Sequence, residues 1–374
     1  MQGHTSAGPT ILVDGTPVSR RTDGIGRWSA NVLRETALAR PDWRLVVVGF
    51  SDDRSRPYLL PELPNVERLF LPVPRRAYQA VYSLVGRMPV DRWVPRADAL
   101  VSTNYTAFPA VSNTPSVVTV FDLAYVDLPD VIEKRNLAHL RKHVPRTMTE
   151  ASAITTISPF TESRIDAEFP GHAPVHLVDC GLDPQFLAPR SSGGPRLPDG
   201  YVLAVGTLEP RKNLVTLLRA WALLDPDVRR RHPLVVVGSA GWGEQQPPAD
   251  IPADVLAGVT FTGYVEDADL PAVYAGAALF VFPSRYEGFG LPLLEAMSCG
   301  VPAVVSDIPP FHEIGTDLVD YADPDDPSDF ARAVTERLGS RDDGRVALAS
   351  ERARAWTWER SGAQMAATIE GVLR

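Results

Sequence analysis

Ala278-Leu-Phe-Val-Phe-Pro-Ser-Arg-Tyr-Glu-Gly-Phe-Gly-Leu-Pro-Leu-Leu-Glu-Ala-Met-Ser-Cys-Gly300 reads as a strand, a polar loop and a short helix. The apolar run 278–282 has the length and composition of a buried strand. The helix starts near Pro292, since proline is tolerated in a first turn, and stops at Gly300. Gly288 and Gly290 let the backbone approach a ligand closely, and the free N–H groups of the helix start favour an anion such as phosphate. Glu287 opens the loop and Glu295 lies in the first turns of the helix. A carboxylate accepts hydrogen bonds from hydroxyls and does not bind phosphate. The stretch therefore suits a ligand carrying phosphate and hydroxyls together, and suits equally a plain turn with two solvated glutamates.

The same strand-to-helix rhythm extends in both directions. Thr10-Ile-Leu-Val13, Arg44-Leu-Val-Val-Val-Gly49, Ala99-Leu-Val101, Ser116-Val-Val-Thr-Val120 and Ala153-Ile-Thr-Thr-Ile157 precede it; Tyr201-Val-Leu-Ala-Val-Gly206, Pro233-Leu-Val-Val-Val-Gly238, Val259-Thr-Phe-Thr262 and Pro302-Ala-Val-Val-Ser306 surround it. Continuous apolar strands between helical patterns predict α/β architecture with parallel sheets covered on both faces. Leu187-Ala-Pro-Arg-Ser-Ser-Gly-Gly-Pro-Arg196 has linker composition. It divides the chain into two Rossmann-like domains, expected at 1–190 and 191–355, with a terminal segment 356–374. Ligands of such sheets lie beyond the carboxyl ends of the strands, so the expected site is a cleft between facing domains.

At 374 residues the chain exceeds one ordinary core, and 44% hydrophobic with 22% charged residues is a globular composition. A net charge of −9 argues against nucleic acid as a partner. The first residues lack the apolar core of a signal peptide and no run has the length of a membrane span, so a cytoplasmic protein is expected. Cys180 and Cys299 stand far apart without metal-ligand spacing.

Each domain has a glycine loop at a strand end. In Asp23-Gly-Ile-Gly-Arg-Trp28, Gly24 and Gly26 bring the backbone to phosphate or sugar, or merely turn the chain into a helix with Trp28, Val32, Leu33 and Leu38 on its apolar side. In Gly206-Thr-Leu-Glu-Pro-Arg-Lys-Asn213, Arg211 and Lys212 lie just past a strand and just before a helix. Two cations there sit at the unfavourable end of the helix dipole unless an anion joins them, and fork plus point charge suits a diphosphate. Two basic stretches, 75–96 and 134–146, fit solvated helix faces, weak peripheral membrane contact at the inner face, or contact with a phosphorylated acceptor. Asp225-Pro-Asp227, Asp267-Ala-Asp269 and Asp323-Pro-Asp325 have metal-like spacing but stand among turn residues and helix starts, so no metal is expected. No nucleophile elbow or Walker lysine is present.

Glu287-Gly-Phe-Gly-Leu-Pro-Leu-Leu-Glu295, Gly206 to Asn213, Gly263-Tyr-Val265, Gly300-Val-Pro-Ala-Val-Val-Ser-Asp307 and Gly24-Ile-Gly26 together resemble the retaining GT-B glycosyltransferases of family 4, and within them the bacterial mannosyltransferase-like enzymes. The resemblance covers nearly the whole chain. It implies two Rossmann-like domains facing across a cleft and transfer of a hexose or 6-deoxyhexose from a GDP-, UDP- or dTDP-linked donor, without metal or other cofactor. The acceptor is a glycan, a lipid-linked sugar or a small molecule. Arg211 and Lys212 are implied to hold the diphosphate and stabilise the leaving group, Glu295 to meet the ribose and Glu287 the donor sugar. Gly288, Phe289, Gly290 and Leu291 line the donor, Val265 meets the base, and Gly26 approaches the phosphates. The run from Trp356 resembles the family's last helix, which crosses back to the first domain.

Two positions depart from the family pattern. Phe121-Asp122 stands where the family commonly has His-Asp, and phenylalanine cannot bond a sugar 6-hydroxyl, which points to a 6-deoxy donor. Thr207 stands where some members have a further phosphate arginine, leaving Arg211 and Lys212 with more of the charge. No covalent nucleophile is evident, and Asp122 and Glu287 are the candidate bases. Other GT-B activities, a sugar phosphorylase or an inverting transferase, fit the same residues, as does a nucleotide-sugar-binding protein without catalysis.

Overall fold

Runs of valine, isoleucine and leucine without polar interruption must be covered on both faces. The computed structural model, which describes residues 8–19, 24–54, 58–85, 96–106, 114–187, 195–242, 248–340 and 342–374, places them so. The chain forms two all-parallel sheets. The first comprises β1 (Thr10–Asp14), β2 (Arg44–Phe50), β3 (Val66–Leu71), β4 (Ala99–Ser102), β5 (Ser116–Val120), β6 (Ala153–Thr156) and β7 (Val175–Leu177), in the order β3-β2-β1-β4-β5-β6-β7. The second comprises β8 (Val202–Val205), β9 (Leu234–Val237), β10 (Val259–Gly263), β11 (Leu279–Phe282), β12 (Ala303–Ser306) and β13 (Asp320–Ala322), in the order β10-β9-β8-β11-β12-β13. Both orders are doubly wound, reversing direction between β1 and β4 and between β8 and β11.

Every residue of β4, β6, β9, β11 and β12 is buried, whereas the edge strands β3, β7, β10 and β13 are largely half-buried or exposed. Hydrophobic content thus follows position in the sheet, because an edge strand has a neighbour on one side only.

The chain divides into two compact units. Unit 1 is Met1–Leu123, Ala138–Gly181 and Thr357–Arg374; unit 2 is Ala124–Leu137 and Leu182–Trp356. The passage into unit 2 comes before the glycine-rich run at 187–196, most of which lies outside the described residues. Phe186 already stacks edge-on against Tyr274 and Gln185 donates to the Asp267 carbonyl at 2.9 Å. Residues 124–137 also belong to unit 2. Tyr286 donates to Asp127 at 3.0 Å and the Trp242 indole donates to the Val131 carbonyl at 3.0 Å.

In unit 1 the C-terminal helix, Trp358–Leu373, lies against the helix Gly24–Ala39. Trp358, Met365, Ala366 and Ile369 are buried in this contact and around it. The approach is close enough that a Cβ on Gly362 would fall 2.3 Å from the Glu35 Cβ. Arg40 pairs with Glu370 beyond it. Trp28, Val32 and Leu33 are buried as their spacing predicts, but Leu38 is 55% exposed, one residue from the helix end.

The first basic stretch departs from a solvated face at its start. Arg75 is buried, its guanidinium bonded to the buried Asp53 at 3.0 Å and lying over the Phe50 ring, so it belongs to the unit's interior. Arg87, Arg92 and Trp93 lie outside the described residues. The second stretch forms the helix Lys134–Glu150, with Leu140, Val144 and Met148 buried and Lys134, Arg135, Arg141, Lys142 and Arg146 exposed. No helix among the described residues is long and apolar enough to cross a membrane.

Candidate active site

β8 and β11 are neighbours, with Leu279 alongside Val202, and they flank the reversal of strand order. Their carboxyl-end loops, 206–213 and 283–290, therefore emerge where open α/β sheets bind ligands. The backbone ties these loops together, the Arg285 N–H donating to the Arg211 carbonyl at 2.9 Å. Asn213 adds a second tie. It takes the left-handed conformation at φ 57°, which asparagine tolerates better than most residues, and its amide donates to the carbonyls of Pro283 at 3.0 Å and Pro324 at 2.7 Å.

Four charges meet between the loops. Glu287 accepts from Arg211 through one carboxylate oxygen at 2.7 Å and from Lys212 through the other at 2.6 Å. Arg211 also pairs with Glu209 at 2.6 Å, and Lys212 lies 4.9 Å from the centre of the Phe282 ring. Glu287 is only 6% exposed and Glu209 is buried as well. Burial alone pushes the Glu287 carboxyl up, but Arg211 and Lys212 outweigh it and hold the group at about 2. Burial also lowers the Lys212 ammonium, against the opposing pull of Glu287. Arg211 and Lys212 are thus neither an exposed pair nor bare charge. Two cations and two carboxylates form a neutral, preorganised group.

Glu295, 3% exposed, projects from the helix Leu291–Ser298, and its carboxylate accepts from the Tyr274 hydroxyl at 2.8 Å. Gly290 precedes that helix at φ 132°, a conformation that L side chains rarely adopt, and a Cβ there would come within 2.9 Å of the Phe311 ring. Its glycine is required by backbone and packing as well as by any ligand. Gly288 is buried in the same loop, Leu291 half-buried, and Phe289 turns its ring inward, edge-on to Trp356 at 5.0 Å. Thr207 is exposed after β8; Val265 is buried two residues beyond β10, behind an exposed Tyr264.

The remaining expected residues lie in unit 1. Gly26 is buried in the first turn of the helix Gly24–Ala39. Phe121 and Asp122 follow β5. The Phe121 ring is 6% exposed, edge-on to Trp28 at 5.1 Å and near Tyr105 at 6.0 Å, so most of it is committed to an aromatic cluster of its own unit. Asp122 is half-buried. Two of the Asp-x-Asp runs serve local structure: Asp225 accepts from the Asp227 N–H, and Asp323 from the Asp325 N–H.

Glu209, Asn213 and Tyr274 are the site residues to which sequence reading assigned no role. Glu209 and Asn213 flank the two cations in the quoted loop; nothing in the sequence points to Tyr274. Chemically, the group offers N–H donors from Arg211 and Lys212 to an anion, and carboxylates to hydroxyls. A carboxyl held at about 2 is a poor proton acceptor near neutrality, so Glu287 suits hydroxyl binding and charge positioning rather than general base work.

The glycosyl transferases group 1 family matches residues 190–355. The chain is 35% identical over 386 residues to the O-antigen chain mannosyltransferase B of Escherichia coli, covering 93% of this chain and 96% of that protein. It is 29% identical over 262 residues to the GDP-mannose-dependent alpha-(1-6)-phosphatidylinositol monomannoside mannosyltransferase of Mycolicibacterium smegmatis, covering 62% and 65% of the two chains. Among solved structures, a sucrose-phosphate synthase from Thermosynechococcus elongatus superposes with a TM-score of 0.69 at 19% identity, over 97% of this chain and 98% of that one.

Proposed function

The chain belongs to the glycosyl transferases group 1 family, with a GT-B fold and glycosyltransferase activity from a nucleotide sugar, and on that premise we propose that it moves mannose from GDP-mannose, with retention, to a hydroxyl of a growing glycan. The observation that carries the donor reading is the whole-length likeness to a mannosyltransferase, joined to the Arg211, Lys212 and Glu287 group at the strand reversal. The GDP reading leans on the GDP-mannose-dependent relative.

In this reading the diphosphate takes up N–H donors of Arg211 and Lys212. As the glycosidic bond breaks, charge grows on the leaving phosphate oxygen, where fixed cations lower the barrier most. Glu287 orients the cations and accepts from donor-sugar hydroxyls. Glu295 accepts from the ribose hydroxyls, and the Gly288 to Leu291 backbone lines the sugar and phosphate. Gly26 and Val265 keep the roles that the family resemblance implies, Asp122 stays the other candidate base, and Thr207 leaves the phosphate charge to Arg211 and Lys212. The acceptor hydroxyl attacks on the face from which the diphosphate leaves and its proton passes to the departing phosphate oxygen, which preserves configuration without a covalent enzyme intermediate. No step requires a metal.

Phe121 favours a second donor class, a 6-deoxyhexose, because its ring cannot bond a 6-hydroxyl. Its engagement with Trp28 leaves little of that ring to face a methyl group, so mannose is the leading reading.

The test is consumption of GDP-mannose, GDP-fucose, UDP-glucose and dTDP-rhamnose with an alkyl mannoside acceptor, followed by NMR of the product. GDP-mannose should be used and yield an α-mannoside. Use of 6-deoxy donors alone would overturn the mannose reading, and a β-mannoside would overturn retention.

A further inference from the structure

We propose that Tyr274 is a positioning residue for the nucleotide: its hydroxyl sets the Glu295 carboxylate in the orientation that accepts the ribose hydroxyls, and so carries part of the preference for a ribonucleotide. This rests on the reading above that Glu295 meets the ribose.

Tyr274 lies in the short helix Leu270–Ala275 and is completely buried. Its ring is held edge-on to Phe186 at 5.9 Å and tilted against Phe280 of β11 at 5.6 Å. Two aromatic neighbours on different segments fix the ring, and with it the position of the hydroxyl oxygen. That hydroxyl donates to Glu295 Oε2 at 2.8 Å. The Glu295 backbone is fixed in parallel, its carbonyl accepting from the Ser298 hydroxyl at 2.8 Å and the Cys299 N–H at 3.0 Å.

A glutamate has three side-chain torsions, and an exposed one points its carboxylate in many directions. Donation from a rigid phenol to Oε2 selects one of them, and the other oxygen, Oε1, is then presented at a set angle. An acceptor ordered in advance loses little entropy when ligand arrives. Packing alone would be served as well by phenylalanine at this position. The hydroxyl is what distinguishes a positioning role from a core role.

The experiment is calorimetric titration of the full chain with GDP and with 2′,3′-dideoxy-GDP, for the wild type, Tyr274→Phe, Glu295→Gln and the double variant. The uridine pair is run alongside, so that a wrong assignment of the base leaves the comparison intact. Each dissociation constant refers to the folded molecules in the cell, so a partly unfolded preparation does not distort the ratio of the two constants. Tyr274→Phe should weaken GDP binding about tenfold while leaving the dideoxy analogue nearly unchanged. Glu295→Gln should bring the ratio close to one, and adding Tyr274→Phe should change it no further. Equal weakening of both nucleotides by Tyr274→Phe, or an unchanged ratio, would overturn the proposal while the Glu295 reading stands. Retention of the wild-type ratio in Glu295→Gln would instead remove Glu295 from the ribose and the proposal with it.

Discussion

Glu287→Gln removes the anion that joins Arg211 to Lys212 and keeps nearly the same shape. The size of the effect follows from the carboxyl itself. Its ordinary value of 4.5 is brought down to about 2 in the folded protein. At about 1.36 kcal/mol per tenfold change, the fold favours the anion by about 3 kcal/mol. Loss of one partner from a buried ion pair costs about 3–5 kcal/mol, so the two routes agree. A depressed carboxyl contributes stability that is complete above 4.5 and lost as the pH falls through about 2. The variant lacks this contribution, so its deficit should be full at pH 7 and should narrow in acid. The assay is amide hydrogen exchange by mass spectrometry over residues 283–300, which reads local opening. A deficit of about 3 kcal/mol corresponds to exchange about one hundredfold faster at neutral pH. Exchange within threefold of wild type, or a deficit that persists unchanged below pH 3, would refute the electrostatic account of this loop.

Lys212→Ala should lower donor turnover by about one hundredfold or more, because the cation acts where charge develops; a radiolabelled donor assay measures it. Glu209→Gln frees Arg211 on one side, and kcat/KM for the donor should fall about tenfold with the far-ultraviolet spectrum unchanged. Gly290→Ala must place a side chain at φ 132° and within 2.9 Å of the Phe311 ring, so a loss of about 2 kcal/mol and a lower melting temperature are expected by calorimetry.

Legibility in the sequence followed burial. The strands read as such include all the buried interior strands, β1, β2, β4, β5, β6, β8, β9, β11 and β12, whose side chains have no solvent side to advertise. The three strands without a clear sequence signal, β3, β7 and β13, are all edge strands. Val66-Glu-Arg-Leu-Phe-Leu71 mixes charge into the strand, and Val175-His-Leu177 and Asp320-Tyr-Ala322 are too short to show a period. The unit boundary was obscured for a related reason. Glycine and proline mark where a chain is free to turn, whereas the units part where contacts change sides, at Phe186 and earlier.

Among site residues, Glu287, Arg211, Lys212 and Glu295 were marked by charge beside glycine and proline at strand ends. What a sequence cannot carry is which charge neutralises which. Arg211 and Lys212 read as waiting for an anion, yet Glu287, seventy-five residues beyond Lys212, already lies between them. Tyr274 left no trace, since a tyrosine on the apolar side of a short helix looks like any core residue until its hydroxyl is seen to face a carboxylate.

The closing helix of unit 1 has a consequence for how the chain is born. Trp358, Met365, Ala366 and Ile369 complete a surface whose other half, the helix Gly24–Ala39, is made more than three hundred residues earlier. Residues 40–357 are synthesised in between, and at about 5–20 residues per second they take about fifteen to sixty seconds to emerge. Throughout that interval the first-made helix waits with its apolar seam uncovered, while unit 2 can fold ahead of the unit that precedes it. Unit 1 can therefore be completed only after residues 182–356 of unit 2 have been made.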